Sequence, residues 1–508
     1  MFQNNFQTSN FKSSAIRNIV LFGDKLPLPT YIVSAIMMIG CFSLAAYFNI
    51  ELYFLLGVIG IALLWIMLHY PKVWIYIVVV GGVVFFDVDE EGISVVDIFA
   101  AVFFNIFLII WFFTKLLVKS EKQIVTNKSR STFNIIGLTE KLFLLFYFLL
   151  LFNSVIAVAN DIDFTDWIRE YMLFLLLLYY FPIRDYFDDK FSIIVLLVIF
   201  SSVVIVFDIR QFLMFRKLLS NITTAWEIGL TSWKINQGFY SAVILMGITM
   251  FLYTKSKIGK LFSYFVVLLT TFTLISTFAR AYWLSVSSLI FLLSVLYVRP
   301  RQFLQLLLVV ILTAGVLLIS LDTFFPKQSQ FVQKFVTNKL SSSTKGRSDP
   351  SVESRLREFE VVNREIYESP LFGQGFRKMF SFYDNTKKHN QVTSFIHNGY
   401  LNLAHKTGIP MTILFYSVVI LFNIRGYIVA WRLKRYCYRN SLDITDQHYF
   451  FTALSIGSSL TITMFLITNI VTSSFIFRDG LIITAFIFAF ISITERKYNR
   501  IKDADSST

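Results

Sequence analysis

The segment with the most chemically useful side chains is 322–409, which holds three of the five histidines: His389, His397 and His405. A histidine can take a proton from a hydroxyl group near neutral pH, so His397 is a candidate catalytic base. The alternative is a structural histidine that bonds the backbone. The histidines are spaced eight residues apart, which fits no compact zinc site, so no metal is expected there.

Basic side chains around this segment could bind an anion. Residues 322–409 contain thirteen Lys or Arg against eight Asp or Glu. Guanidinium groups offer a two-pronged hydrogen bond to phosphate oxygens, so Arg280, between two apolar stretches, is a candidate phosphate ligand. An arginine at a helix end that reaches the membrane interface is the alternative for Arg280, and Arg169 could instead pair with Glu170. The further candidate site residues are the cations Arg210, Arg355, Arg216, Lys234 and Arg357. The polar residues Asn398 and Tyr400 are candidate accessory groups of the same site.

An acidic motif supplies a competing hypothesis. Asp87-Val-Asp89 could hold a divalent cation against a diphosphate, because hard cations prefer carboxylate oxygens. The alternative is that these residues belong to an acidic loop on the outer side of a membrane. We favour the acidic loop and predict no metal cofactor.

Composition decides the class of protein that carries these residues. Hydrophobic residues make up 56% of the 508 and charged residues 15%, against about 25% charged in an average soluble chain. Compact cores cannot bury all 57 Phe and 24 Tyr, whereas lipid can accept them. A soluble protein, a disordered chain and a disulfide scaffold are therefore excluded. In a membrane protein, a net charge of +14 is explained by basic cytoplasmic loops. No nucleic-acid partner is therefore expected.

Apolar windows predict an all-α polytopic membrane protein with about fourteen transmembrane helices, since each crossing needs roughly 20 mostly apolar residues. The predicted spans are 31–50, 51–70, 73–87, 94–114, 142–160, 167–182, 191–207, 237–254, 261–279, 281–298, 303–321, 410–431, 449–471 and 480–494.

The distribution of Lys and Arg predicts the orientation, because these residues accumulate in cytoplasmic loops. With the N-terminus inside, alternation puts most basic loops inside and the acidic residues of 87–91 and 161–166 outside. The predicted organisation is a cytoplasmic segment 1–30, transmembrane helices 31–321, a large outer loop 322–409, transmembrane helices 410–494 and a cytoplasmic tail 495–508.

The large loop is predicted to be partly helical, with helices at 352–368 and 395–406 joined by turns rich in Ser, Gly and Asn. Between them lies Pro370-Leu-Phe-Gly373-Gln-Gly375. Glycines permit a tight turn, and we expect this turn to bring backbone N–H groups near a ligand.

These features together resemble the O-antigen ligase/polymerase superfamily. The resemblance covers about residues 200–495, and it lies in Ser354-Arg355, Pro370 to Gly375, and His397-Asn-Gly-Tyr-Leu. Ser276-Thr-Phe-Ala-Arg280 is similar to the family's Ser-Arg element, with Phe278 and Ala279 in place of the usual lead-in. Phe359 stands where the family normally has Trp.

The resemblance implies an inverting, metal-independent glycosyltransferase of the GT-C type in the bacterial inner membrane, with the large loop in the periplasm. The donor would be a glycan on polyprenyl diphosphate, and the acceptor a glycan or a lipid. Arg210, Arg280 and Arg355 would bind the diphosphate, and His397 would act on the acceptor hydroxyl. Membrane lipid is an expected partner, and a chain-length regulator is a further candidate partner.

The acceptor separates two hypotheses within the family. A polymerase transfers glycan to another lipid-linked repeat unit, and a ligase transfers it to lipid A–core; we favour the polymerase. A transporter of lipid-linked oligosaccharides is the alternative from another class. A transporter would place its charged groups near the bilayer midplane, often in internal repeats, whereas this chain concentrates them in one outer loop.

Overall fold

A computed structural model describes residues 71–84, 104–113, 137–221, 237–297, 350–439 and 446–506, except 278, 386, 387 and 477. It also describes isolated positions between 58 and 70 and between 304 and 337. The chain divides into two units, Met1–Pro71 and Lys72–Thr508. In the first unit, the ring of Trp65 stacks on His69 with centroids 4.9 Å apart.

Helices make up most of the described chain. In chain order they are α1 (Pro71–Val84), α2 (Phe104–Phe113), α3 (Leu138–Leu151), α4 (Asn153–Ala159), α5 (Phe164–Leu175), α6 (Tyr180–Tyr186), α7 (Lys190–Asn221), α8 (Gln237–Tyr253), α9 (Lys257–Ser276), α10 (Arg280–Tyr297), α11 (Pro350–Glu368), α12 (Gly399–Thr407), α13 (Ile409–Arg439), α14 (Asp446–Thr468) and α15 (Arg478–Ser506).

Five predicted spans coincide with helices that are long and apolar enough to cross a membrane. These helical stretches are Leu138–Ala159, Lys190–Lys217, Lys257–Ser276, Ile409–Tyr436 and Gln447–Thr468. Large apolar side chains such as Phe148, Val206 and Phe291 are exposed on them or on α10, as expected for surfaces that face lipid. The apolar character predicted for these segments is confirmed.

Other predicted spans are shorter helices or fall outside the described residues. The spans at 73–87, 94–114, 237–254 and 281–298 correspond to the shorter apolar helices Pro71–Gly81, Phe104–Phe113, Gln237–Tyr253 and Arg280–Val295. The span 31–50 lies outside the described residues, and only isolated helical positions of 51–70 and 303–321 are described. The number of spans therefore stays a prediction, as do the domain boundaries. The last helix, α15, continues past 494 to Ser506.

The predicted span 167–182 is not one continuous α-helix. It consists of α5, a 3-10 turn at Leu176–Tyr179 and the start of α6. Pro182 lies in the first turn of α6. Proline has no N–H to donate to the carbonyl four residues earlier, and its ring clashes there, so a tighter turn takes the place of regular α-helix.

One end of the helical bundle collects residues that were predicted to be cytoplasmic. Lys72 Nζ donates to Asp189 Oδ2 at 2.9 Å, which joins the start of α1 to the start of α7. Arg496 in α15 donates to the carbonyl oxygen of Arg184 in α6. These sequence-distant segments therefore lie at the same end of the described bundle.

The opposite end collects residues that were predicted to lie outside. Lys406 of the large loop forms a salt bridge with Glu170 of α5, and both side chains are largely buried. Asn160, in the turn between α4 and α5, donates its side-chain N–H to the carbonyl of Gln374 at 2.8 Å. The large loop is therefore bonded to the bundle rather than separate from it.

The bundle core is built from α8, α13, α14 and α15. Phe422 of α13 stacks on Phe488 of α15 with centroids 4.0 Å apart and an interplanar angle of 13°. A Cβ on Gly426 would collide with the Ser459 hydroxyl of α14. Small residues at such contacts let helices approach closely, which is the main source of helix association within lipid.

The large loop has its own small core and contains one departure from the predicted all-α class. The loop helices are confirmed as α11 and α12, but residues between them form an antiparallel hairpin, β1 (Phe380–Asp384) with β2 (His389–Thr393). In β1 buried and exposed residues alternate, the period expected of a strand with one buried face. The buried cluster consists of Val362, Ile366, Phe380, Phe382, Ile396 and Ala404.

A buried ionic network ties four helices of the bundle together. Arg425 of α13 contacts Glu140 Oε1 of α3 at 3.1 Å and Glu495 Oε2 of α15 at 2.5 Å. Tyr180 of α6 donates its hydroxyl to Glu140 Oε1 at 2.9 Å. Glu140 is 3% exposed, so removing its carboxylate would leave part of the Arg425 charge without compensation in a poorly solvated site.

We predict that Glu140→Ala lowers the free energy of unfolding by about 3 kcal/mol, the usual cost of removing one partner of a buried pair. Glu353→Ala is the matched control, because the Glu353–Arg357 pair is half exposed and should contribute about 0.3–0.5 kcal/mol. Thermal unfolding of the purified proteins in one detergent measures both. Equal midpoints for the two variants would contradict the stabilising role assigned to the network.

Candidate functional site

His397 is held by a single buried carboxylate. Glu358, on α11, is 1% exposed and accepts the backbone N–H of His397 through Oε1 at 2.6 Å. Its other oxygen, Oε2, lies 2.7 Å from His397 Nδ1. The His397 side chain itself remains 40% exposed. The ring therefore has one fixed edge and one edge that faces outward.

The Glu358 contact determines which nitrogen of His397 is able to accept a proton. An ionised carboxylate only accepts hydrogen bonds, so Nδ1 carries the hydrogen and Nε2 of the neutral ring carries the lone pair. Among the described residues, none makes a hydrogen bond with Nε2. The carboxylate would also stabilise the imidazolium that forms when Nε2 takes a proton. This is the arrangement that a general base requires.

Asn398 and Tyr400 position the helix that follows His397. The Asn398 side chain accepts from the backbone N–H groups of Tyr400 at 2.9 Å and Leu401 at 3.1 Å, which caps α12. The Tyr400 hydroxyl donates to the carbonyl of Leu466 at 2.8 Å, and its ring packs on Tyr416. Both residues were predicted as accessory groups. In the structure Asn398 caps α12, and Tyr400 attaches this helix to α14.

A second histidine–glutamate pair lies deeper in the loop. His405 Nε2 is 2.6 Å from Glu365 Oε2, and the His405 side chain is fully buried. Glu365 follows Glu358 by seven residues, about two turns of α11, so both carboxylates lie on one face. His389, by contrast, is exposed on β2. Within the described part of the chain, no three metal-ligating side chains are grouped closely enough to hold a metal ion.

The turn between α14 and α15 joins the histidine to the membrane helices. Gly399 donates its N–H to the carbonyl of Asn469 at 2.8 Å, and a Cβ on Gly399 would collide with the Asn469 side chain. Ser473 donates its hydroxyl to the carbonyl of Ile396 and accepts from Asn402 at 3.0 Å. The residues on both sides of His397 are therefore fixed to the end of α14.

Arg280 begins α10, and the first turn of this helix contacts the same segment between α14 and α15. Two residues later, the Tyr282 hydroxyl is 3.0 Å from Ser474 Oγ and 3.3 Å from Thr472 Oγ1. Ser473, between those two residues, is bonded to Ile396 beside the histidine. Arg280 is half-buried. The role of Arg280 as a phosphate ligand stays a prediction.

Arg355 and Arg357 occupy different positions around α11. Arg355 is half-buried and lies three residues, about one turn, before Glu358. Arg357 is exposed, pairs with Glu353 at 3.1 Å and lies over the ring of Tyr383. The helix therefore places Arg355 nearer to the face that carries Glu358, and Arg357 on the solvent side of the loop.

The remaining predicted cations are more dispersed. Arg210 and Arg216 are exposed on the last turns of α7. Close by, the buried Asp208 accepts from the Thr270 hydroxyl of α9 at 3.0 Å. Arg169 is half-buried on α5, beside the Glu170 that pairs with Lys406. Lys234, Asp87 and Asp89 lie outside the described residues.

The glycine turn does not present its N–H groups to a ligand, contrary to our expectation. Gln374 donates to the carbonyl of His405 at 2.6 Å, and Gly375 donates to the carbonyl of Lys406 at 3.1 Å. These carbonyls belong to the last turn of α12, where intrahelical partners are missing. The positive φ of Gly373 (72°) and Gly375 (94°) lets the backbone approach closely enough to satisfy them.

Sequence reasoning missed the carboxylates that pair with the histidines. One signal was available, because Ser354, Glu358 and Val362 follow each other at intervals of four. This interval puts Glu358 on the buried stripe of an amphipathic helix, where a carboxylate needs a specific partner. Asn469 and Ser473, which fix the chain around His397, gave no comparable signal because their partners are about seventy residues away.

We predict that Gly373→Ala loosens the attachment of the glycine turn to α12, because the new Cβ would lie 2.5 Å from the Gly408 nitrogen. Hydrogen exchange of residues 370–376 and 404–409 should become at least tenfold faster. Gly259→Ala is the control, since a Cβ there meets only atoms at 3.5 Å. Unchanged protection in Gly373→Ala would show that the turn tolerates a side chain.

Comparison with protein families gives a match at the described site. Residues 265–416 match the family model described as O-Antigen ligase. The matched range begins in α9 and includes Arg280, Arg355, Glu358 and His397, while Arg210 lies outside it. Among curated proteins, none matches the chain. The match covers residues 265–416, less than half of the chain, and it agrees with the resemblance to the O-antigen ligase/polymerase superfamily found in the sequence.

Proposed function

We propose that this protein is a glycosyltransferase of bacterial surface polysaccharide synthesis. It transfers glycan from polyprenyl diphosphate to an acceptor hydroxyl at the outer face of the inner membrane. The observation that carries the proposal is the outward-facing Nε2 of His397, backed by the buried Glu358 within the matched family domain. In this proposal the end of the bundle that holds Lys72 and Arg496 faces the cytoplasm, and the large loop is periplasmic.

The proposed reaction is one direct displacement. The acceptor O–H bond breaks, its proton goes to His397 Nε2, and its oxygen forms a bond to the anomeric carbon of the donor. The bond from that carbon to the diphosphate oxygen breaks, and the diphosphate leaves with the electron pair. A single displacement inverts the anomeric configuration. Glu358 is the positioning residue, because it orients the ring and stabilises the imidazolium.

Arginines take the role of neutralising the leaving group. Arg280 lies at the start of α10, beside the turn that also holds the His397 segment, and Arg355 lies one turn from Glu358 on α11. Arg210, near the end of α7, completes the proposed set. Fixed cations placed where charge develops stabilise a transition state without reorganising. Such a set makes the reaction independent of a metal ion, so no metal or other cofactor is assigned.

The acceptor is proposed to be another lipid-linked repeat unit, which makes the protein a polymerase. The second candidate is a ligase that uses lipid A–core as the acceptor. Both share the donor, the histidine and the arginines, so the acceptor alone distinguishes them.

We expect purified protein and a polyprenyl-diphosphate-linked repeat unit to give a ladder of longer lipid-linked glycans on a gel. His397→Ala should reduce the rate by about 10²–10⁴, the usual contribution of a general base. His389→Ala is the matched control, because that histidine lies exposed in the same loop and should keep full activity.

The outcome with other acceptors decides between the proposals. Transfer only after lipid A–core is added would identify a ligase. Full activity of His397→Ala would remove this residue from the mechanism. No glycan transfer to either acceptor would favour the transporter.

Glu358 provides a second test, because it acts only through His397. Glu358→Gln should lower kcat by at least tenfold and leave KM for the donor nearly unchanged, and Glu358→Asp should restore part of the rate. Glu360→Gln, an exposed change on the same helix, is the control. Equal kcat values for Glu358→Gln and Glu360→Gln would exclude the positioning role.

Chelation tests the proposed independence from metal. We expect the ladder to form at an unchanged rate after dialysis against EDTA. If the Asp87-Val-Asp89 motif instead holds a divalent cation, EDTA abolishes activity and added Mg²⁺ or Mn²⁺ restores it. That result would overturn the mechanism based on arginines.

A further inference from the structure

A cavity of about 300 Å³ lies among the membrane helices, away from the histidine loop. Its side walls are α7 and α9, and α8, α15 and Phe450 of α14 complete its lining. Both side walls are candidate membrane spans. The lining is almost entirely apolar, with Leu197, Val243, Met246, Phe262 and Phe486 among its residues.

The cavity is a cleft that opens toward lipid. Val198 on α7 and Phe262 on α9 line it and are 41% and 36% exposed. Farther along the same two helices, the Phe212 and Phe272 rings pack with centroids 5.7 Å apart. The helices thus meet at the end of the bundle near the loop and diverge toward the other end.

The depth of the cleft matches one leaflet. On α7 it runs from Lys190 to Ser201, which is roughly 16 Å of helix at 1.5 Å per residue. The hydrocarbon core of a bilayer is about 30 Å thick, so this is about half of it. A single acyl chain that enters from the near leaflet would fill such a cleft.

The mouth of the cleft carries three lysines, and of the two aspartates that precede Lys190, Asp189 is paired with Lys72. Lys190 lines it, as do Ser256 and Gly259 at the N-terminus of α9. Lys257 and Lys260 lie in the first turn of the same helix. Each lysine near a membrane surface attracts anionic lipid by about 1 kcal/mol, and a helix N-terminus favours an anion. Apolar walls below a basic mouth are complementary to a lipid with an anionic headgroup.

We propose that this cleft binds one anionic phospholipid, with an acyl chain between α7 and α9 and the headgroup phosphate at Lys190 and the start of α9. The site lies at the end of the bundle opposite His397, on the side predicted to be cytoplasmic. It is therefore separate from the binding of a glycan donor and does not depend on the proposed reaction.

The headgroup is tested by native mass spectrometry of the purified protein, titrated with phosphatidylglycerol or phosphatidylcholine of the same acyl chains. We expect one phosphatidylglycerol to bind at concentrations where phosphatidylcholine does not. Lys190→Gln should weaken that binding about fivefold, the equivalent of one lysine contact. Lys502→Gln is the matched control, since Lys502 is exposed near the end of α15, far along the helix from the cleft.

The acyl chain is tested with phosphatidylglycerol that carries a photoreactive group in mid-chain. Labelling should concentrate in residues 194–201, 242–250 and 262–266. Ser201→Phe and Ser263→Phe fill the cleft from opposite walls, and each should abolish that labelling. Two variants keep the test decisive if one of them fails to fold, and thermal unfolding shows which are folded.

Four results would overturn the proposal. The first is equal binding of the two lipids, and the second is equal weakening by Lys190→Gln and Lys502→Gln. The third is displacement of phosphatidylglycerol by polyprenyl phosphate at lower concentration, which would make an isoprenoid the occupant. Labelling spread evenly over the lipid-facing surfaces of α3 and α13 would likewise indicate unspecific contact.

Discussion

The chain around His397 depends on one buried carboxylate. Glu358 accepts from both the backbone N–H and the ring of His397, so it fixes the position and the hydrogen-bonding state of the histidine together. Burying a carboxylate is costly unless it is hydrogen-bonded, and His397 satisfies both of its oxygens. The loop core around Val362 and Phe380 must form to exclude water from this contact, and so the loop fold and the histidine geometry support each other.

The large loop is fixed to the membrane helices at several points. Asn469 and Ser473 hold the residues on both sides of His397, and Lys406 pairs with Glu170 at the other end of α12. The glycine turn completes this attachment by satisfying the last carbonyls of α12. Side chains in a long loop are otherwise more mobile, whereas here contacts on both sides fix the position of His397 relative to the bundle.

One physical rule explains both the packing of the bundle and the proposed lipid cleft. Within lipid, helices gain little from hydrophobic burial against each other, so close packing and polar contacts hold them together. Where Gly426 allows close approach, or where Arg425 bridges two carboxylates, the helices are joined. Where α7 and α9 diverge, no such contact exists among their described residues. The proposed acyl chain occupies the space between them.

The sequence by itself determined the membrane class, the apolar spans that the structure describes and the two loop helices, because composition and local periodicity are sufficient for these. It also singled out His397. It did not predict the hairpin, the broken helix at 176–179, the partners of the glycine turn, or Glu358 and Glu365. These depend on contacts between residues tens to hundreds of positions apart, and only the tertiary structure decides which distant carboxylate, carbonyl or hydroxyl a given side chain meets.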